Sequence, residues 1–145
     1  MRVIVDTSVW LLALRRRNPV DTPETKALTE LIADGRVVLL GAVRQEILSG
    51  VRHTEQFERL RHALEAFPDE AVGTEEHIEA ARICNQCLGS GVLTGNTDCL
   101  ICAVAMAKGM EVLSTDKDFD HMSSVIPVKL YSTGEHGGAH PPTTR

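Results

Sequence analysis

The chain has 145 residues, 43% of them hydrophobic and only 3% aromatic, with a formal net charge of −5. That length supports one domain with its own hydrophobic core. No apolar run reaches the roughly 18–20 residues of a membrane-spanning helix, and the acidic balance excludes binding nucleic acid through overall charge alone. The charge is uneven, net +1 over residues 1–65 and net −6 over residues 66–145. The N-terminus reads directly into a strand, which predicts no cleavable signal peptide and a cytoplasmic protein without a membrane partner.

Val3–Val5 is a short β-branched run and predicts the first strand. Val9–Leu14 predicts a short helix that gives way to Arg15-Arg16-Arg17-Asn18-Pro19. Pro23–Ala33 follows as a helix, with Thr22 as its cap, Pro23 at its first position and Gly35 beyond its end. The apolar run Val37–Leu40 predicts a buried second strand. Ala42–Leu48 then predicts a helix closed by Gly50. Phe57, Leu60, Leu64 and Phe67 repeat at helical spacing, so a helix is expected over Glu55–Phe67, capped by Thr54 and broken by Pro68.

Ala71-Val72 predicts a short strand, and Thr74 opens a helix running to about Leu88. After a Gly-rich loop, Asn96 or Thr97 caps a helix through Ala107 that is apolar nearly all round and therefore central. Gly109 fits the left-handed position past its end. Val112-Leu113 predicts a strand ending at Ser114-Thr115-Asp116, and Val125–Leu130 the last strand. Short apolar strands alternating with helices indicate an α/β fold with a mainly parallel sheet buried on both faces. The packed domain is expected over residues 1–131. The Gly-, Pro- and His-rich segment 132–145, with His136 and His140, reads as a flexible polar tail rather than a metal site.

Two CxxC pairs, Cys84/Cys87 and Cys99/Cys102, have the outline of a zinc site. Each falls inside a helical pattern, with no Gly to make the tight turn of a zinc knuckle. Core packing is the expected role. Trp10, at helical spacing, is likewise expected in the core rather than as a base-stacking platform.

In open parallel sheets ligands bind at the carboxyl ends of the strands. Asp6 ends the first strand and Asp116 follows the Val112-Leu113 strand. Glu46 lies about one and a half helical turns beyond the second strand, and Asp98 sits in the first turn of the most apolar helix. Alone, Asp6 reads as a helix cap and Asp98 as a favourable partner of its helix dipole. If all four converge, each pair about 6 Å apart repels by about 3 kcal/mol at an effective dielectric near 20. Such a cluster needs protons or a divalent cation, and oxygen ligands suit Mg²⁺ or Mn²⁺. Thr7, Ser8 and Thr115 supply hydroxyls beside these acids. Asp118 reads first as a cap of the short helix that follows, and second as an acid reaching the metals.

Val5-Asp6-Thr7-Ser8-Val9-Trp10, Glu46-Ile-Leu-Ser-Gly50, Thr97-Asp98-Cys-Leu-Ile-Cys-Ala-Val-Ala105 and Leu113-Ser-Thr-Asp116-Lys-Asp118-Phe119 together resemble the PIN-domain ribonucleases, in particular the VapC-like toxins of type II toxin–antitoxin pairs. The likeness spans about residues 1–130 in the family's order; the two cysteines flanking Leu100-Ile101 and the segment after Tyr131 depart from it. It implies a three-layer α/β/α sandwich. It also implies a homodimer through helices near residues 42–66 and a cognate antitoxin that blocks the cleft. Asp6, Glu46, Asp98 and Asp116 match the family's acidic quartet, and Ser8 and Thr115 its accessory hydroxyls. The implied activity is Mg²⁺- or Mn²⁺-dependent hydrolysis of RNA, with Asp6, Asp98 and Asp116 as metal ligands and Glu46 on a second metal or on the attacking water. Arg15 and Arg16 are candidate contacts to RNA phosphates.

Three other readings compete. A phosphatase using Asp6 as nucleophile normally has a second acid two residues on, where this chain has Ser8. A receiver-like regulatory module places its phospho-acceptor after the third strand, where Ala71-Val72 leads into Gly73-Thr74. The third is a non-catalytic binding partner on the same scaffold.

Overall fold

The computed structural model describes residues 1–15, 18 and 20–133. Arg16 and the segment 134–145, with His136 and His140, lie outside the described residues. Among the described residues three strands, β1 (Val3–Val5), β2 (Val37–Val38) and β3 (Glu111–Leu113), form a parallel sheet in the order β2-β1-β3. Single parallel bridges extend it on both sides, Leu39 to Asp69 beyond β2 and Val112 to Leu130 beyond β3. The chain therefore leaves β1 in one direction to make the first half of the sheet and returns to make the other. The point of reversal lies between β1 and β3.

Among the described residues seven helices cover the sheet: α1 (Thr7–Trp10), α2 (Pro23–Ala33), α3 (Gly41–Leu48), α4 (Thr54–Ala63), α5 (Thr74–Gly89), α6 (Asn96–Lys108) and α7 (Asp118–Ser123). Parallel crossovers are right-handed, so reversing the direction of travel moves the connecting helices to the opposite face. α1 packs with α2 and α3, while α5 packs on α6 and α6 on β1 and β3. The result is the expected α/β/α sandwich. Val3, Ile4 and Val5 are fully buried between the layers, as are Ile101 and Val104 of α6.

The helix signals act through specific bonds. Thr22 and Thr25 form a reciprocal capping box, with Pro23 at the start of α2. Gly109 takes a left-handed conformation, φ 67°, where a side chain would be strained. Trp10 is buried and meets Phe67 edge-on at 5.2 Å, confirming a packing role. Arg44 pins the segment after α4, donating to the carbonyls of Leu64 and Phe67 and to the Asp69 carboxylate.

Several expected elements differ. Helix α1 lasts one turn and continues as a π-turn over Leu11–Arg15, rather than a single helix over Val9–Leu14. Helix α4 ends at Ala63, not Phe67, and is preceded by His53 rather than capped by the Thr54 side chain. Gly95, not Asn96 or Thr97, precedes α6. Val125–Leu130 is not a regular strand. Val125 and Ile126 donate back to the Met122 carbonyl, and Pro127 has no N–H for a ladder, leaving the bridge at Leu130. Ala71-Val72 makes no strand either. The pairing falls earlier, where Glu70 N–H donates to Leu39, and Glu70 then binds Arg2 and Lys108 at 2.7 and 2.8 Å.

Candidate active site

The parallel register of β1 and β3 sets the geometry. Val5 lies beside Leu113, and Asp6 N–H donates to the Leu113 carbonyl at 2.9 Å. The next residues, Asp6 and Ser114, consequently leave the sheet side by side at the reversal point, where open α/β folds hold their ligands. Asp6 is 95% buried. Its Oδ2 accepts from Ser114 Oγ at 2.7 Å and Ser8 Oγ at 2.8 Å, and more weakly from Ser8 N–H at 3.4 Å as the cap of α1. The capping and site readings of Asp6 thus describe the same carboxylate.

Ser8 Oγ also accepts from the Thr115 N–H at 3.1 Å, and Ser114 Oγ from the Asp116 N–H at 2.9 Å. Thr115 joins the network through its backbone. Asp116 Oδ1 accepts from the Asp118 N–H at 2.9 Å, folding the loop into α7. On the other side of the site, Thr7 Oγ1 donates to Glu46 Oε1 at 2.6 Å, tying α3 to the end of β1.

Asp98 comes from the opposite layer, in the first turn of α6. Ligand oxygens of Asp98, Asp116 and Asp118 all lie within 4.8 Å of one another. Burial pushes the Asp98 carboxyl up to about 7, followed by the charges of Asp6, Asp116, Glu46 and Asp118 in that order. Asp98 therefore feels the charge of each of the other three acids singled out in the sequence, and of Asp118. While Asp6 is held by hydroxyl donors, no hydrogen-bond donor among the described residues reaches the Asp98 carboxylate.

This donor set fits a hard divalent cation. Carboxylate oxygens are the ligands Mg²⁺ and Mn²⁺ take. Oxygens on opposite sides of an ion at about 2.1 Å are about 4.2 Å apart, so a small closure of the three carboxylates would surround one.

One participant escapes the sequence reading and another is ranked first in a different role. Ser114 was overlooked, although its place directly after a strand, like that of Asp6, was the available signal. For Asp118 the sequence favours the cap over reach to the metals; the structure puts it in the first turn of α7, after Lys117, with its carboxylate in the acidic cluster. Arg15 lies apart, at the end of the π-turn, its guanidinium directed to the Ser49 carbonyl at 3.4 Å.

The cysteines make no comparable group; the one cluster of metal-ligating side chains among the described residues is the acidic one. Cys87, Cys99 and Cys102 are buried and Cys84 is partly so. Burial pushes the Cys99 thiol up to about 11 and the Cys87 and Cys102 thiols upward as well, as expected of thiols packed in an apolar core.

The PIN domain family model matches residues 3–125. Ribonuclease VapC11 of Mycobacterium tuberculosis and VapC ribonuclease Mb1587 of Mycobacterium bovis are each 26% identical over 134 residues, covering 90% of this chain and 98% of theirs. Among solved structures, VapBC2 from Rickettsia felis bound to a DNA fragment from its promoter superposes with a TM-score of 0.71 at 16% identity, over 90% of this chain and 98% of that one. FitAcB from Neisseria gonorrhoeae gives 0.70 at 17%, and VapBC-1 from nontypeable Haemophilus influenzae 0.68 at 15%, each over 90% of this chain and 97% of theirs. With the match running from the first strand to just past α7, this chain belongs to the PIN domain family.

Proposed function

We propose that this chain is a divalent-metal-dependent endoribonuclease, the toxin of a toxin–antitoxin pair acting in the cytoplasm. The observation that carries the reading is the gathering of Asp98, Asp116 and Asp118 in one cluster, within reach of the charges of Asp6 and Glu46, at the reversal point of the sheet. The ribonuclease names of the mycobacterial relatives and the VapBC neighbours support RNA as substrate and a separate antitoxin protein as partner. The family likeness supports a homodimer. No helix among the described residues is long and apolar enough to cross a membrane.

Asp98, Asp116 and Asp118 would hold Mg²⁺ or Mn²⁺, with Asp6 as a further ligand from its buried position. The chemistry the cation supplies when bound is a water made nucleophilic near neutral pH and positive charge against the scissile phosphate. Asp6 is fixed by Ser8 and Ser114, so its charge stays aimed at the site. Glu46, oriented by Thr7, is placed to accept a proton from attacking water or to bind a second cation. The phosphatase alternative gains nothing, since Ser8 serves as a donor to Asp6.

The test is cleavage of structured RNA by the full chain with Mg²⁺ or Mn²⁺, with a chelator added, and with Asp6→Asn or Asp98→Asn. Cleavage that needs the cation and is lost in both variants is expected. Cleavage that survives chelation and both substitutions overturns the proposal.

A further inference from the structure

An acidic site repels the polyanion it is to cut, so the substrate must be held from its flanks. The described arginines divide into two groups. Arg2, Arg36, Arg44, Arg61 and Arg82 each pair with a carboxylate. Arg15, Arg52 and Arg59 pair with none among the described residues. Two of these, Arg15 and Arg59, line one groove of about 960 Å³ with His53, Thr54, Glu55 and Gln56, and Arg52 adjoins His53 in the chain. Glu55 is the carboxylate on that lining.

The arginines are positioned without being neutralised. Arg15 Nη2 donates to the Ser49 carbonyl at 3.4 Å, and Arg59 Nη1 to the Leu14 carbonyl at 3.3 Å. Gln56 Nε2 donates to the Arg15 carbonyl at 3.2 Å and ties α4 to the π-turn. These are long bonds to neutral acceptors, leaving donors of each guanidinium fork for a ligand. Along the chain, Ser49, whose carbonyl accepts from Arg15, follows Glu46 by three residues, about one helical turn, at the end of α3.

We propose that the Arg15–Arg59 groove binds the phosphate backbone of the RNA substrate on the α3–α4 side of the acidic cleft. The inference rests on the RNA reading above and adds to it the residues that hold the strand outside the reacting centre. Arginine forks match phosphate oxygens in pairs, and such contacts carry affinity without reading sequence.

The experiment measures binding of a fluorescein-labelled oligouridylate to the full chain in a chelator, where no cutting takes place, across a salt series. Each phosphate contact contributes about 0.7 to the slope of log K against log salt for a single strand. Arg15→Ala/Arg59→Ala should therefore lower the slope by about 1.4. Arg61→Ala and Arg82→Ala, which remove paired arginines, should leave it unchanged. Arg15→Lys/Arg59→Lys should retain most of it, and a thermal melt verifies that each variant is folded.

An unchanged slope in the folded double alanine variant overturns the proposal, as does loss of the homodimer in that variant by size-exclusion chromatography with light scattering, which assigns the groove to the interface between copies. Weaker binding of polyglutamate with an unchanged RNA slope reassigns the groove to an acidic protein and overturns it equally. Because binding is read without cleavage, the two readings fail separately. Cleavage with an unchanged slope removes the groove alone, whereas a lowered slope in a chain that cuts no RNA removes the nuclease alone.

Discussion

The Ser114 hydroxyl donates to Asp6 Oδ2 at 2.7 Å, linking residues 108 positions apart at adjacent strand ends. Ser114 Oγ in turn accepts from the Asp116 N–H, so one small side chain fixes a buried acid and the loop that carries its neighbour. Partners that orient metal-binding carboxylates typically change affinity or activity by 10–100-fold when removed. Ser114→Ala is expected to lower Mn²⁺ affinity and RNA cleavage by about that factor. Titration calorimetry and initial cleavage rates check this, beside a melting curve close to that of the wild type. Ser8→Ala should behave similarly. The double variant should lose less than the product of the two, because both hydroxyls serve the same Asp6 oxygen.

The Asp98 carboxyl, raised to about 7, makes stability of the metal-free protein pH-dependent. An acid whose pKa is higher folded than unfolded binds its proton more tightly in the folded state. Its stabilising contribution is therefore full below about pH 4 and is lost as pH rises towards and through 7. In a chelator, the melting temperature should fall between about pH 4 and 7 through this group. Asp98→Asn should flatten that fall, and saturating Mn²⁺ should reverse it by binding the ionised cluster. A melting temperature with the same pH dependence in wild type and Asp98→Asn would contradict the account.

Asp118 and Asp120 both stand in the first turn of α7, where either stabilises the helix dipole. The acidic cluster includes Asp118 and not Asp120. Asp118→Asn should weaken Mn²⁺ binding about 10–100-fold, while Asp120→Asn leaves it within about twofold, well under 1 kcal/mol. Equal effects would reduce Asp118 to the capping role first read for it.

Trp10 joins the site's scaffold to the chain after α4 through its edge-on contact with Phe67. Trp10→Ala should cost about 3–5 kcal/mol by leaving a cavity under α1, measured by urea unfolding. Since Asp6 caps α1, cleavage should fall too, but recover at low temperature where the variant is folded. Activity lost in fully folded protein would instead assign Trp10 a direct role.

The residues legible in sequence were those whose position follows from local pattern. Asp6 and Asp116 follow apolar strands, and Asp98 opens a helix too apolar to lie anywhere but the centre. Their convergence could be posed as a question, but distance between layers is not encoded in any one window. Ser114 depends on the register between β1 and β3, which lie over a hundred residues apart. Asp118 depends on a turn closed by its own N–H on Asp116, a bond invisible to periodicity. The last strand was misread because Val125–Leu130 has strand composition, while Pro127 and the bonds to Met122 deny it a ladder.

Anomalous scattering from crystals grown with Mn²⁺ tests the central claim most directly. One ion bounded by the carboxylates of Asp98, Asp116 and Asp118, at about 2.1–2.2 Å from their oxygens, is the predicted result. A protein saturated with Mn²⁺ whose signal lies elsewhere, or whose three carboxylates remain apart with no ion between them, would contradict it.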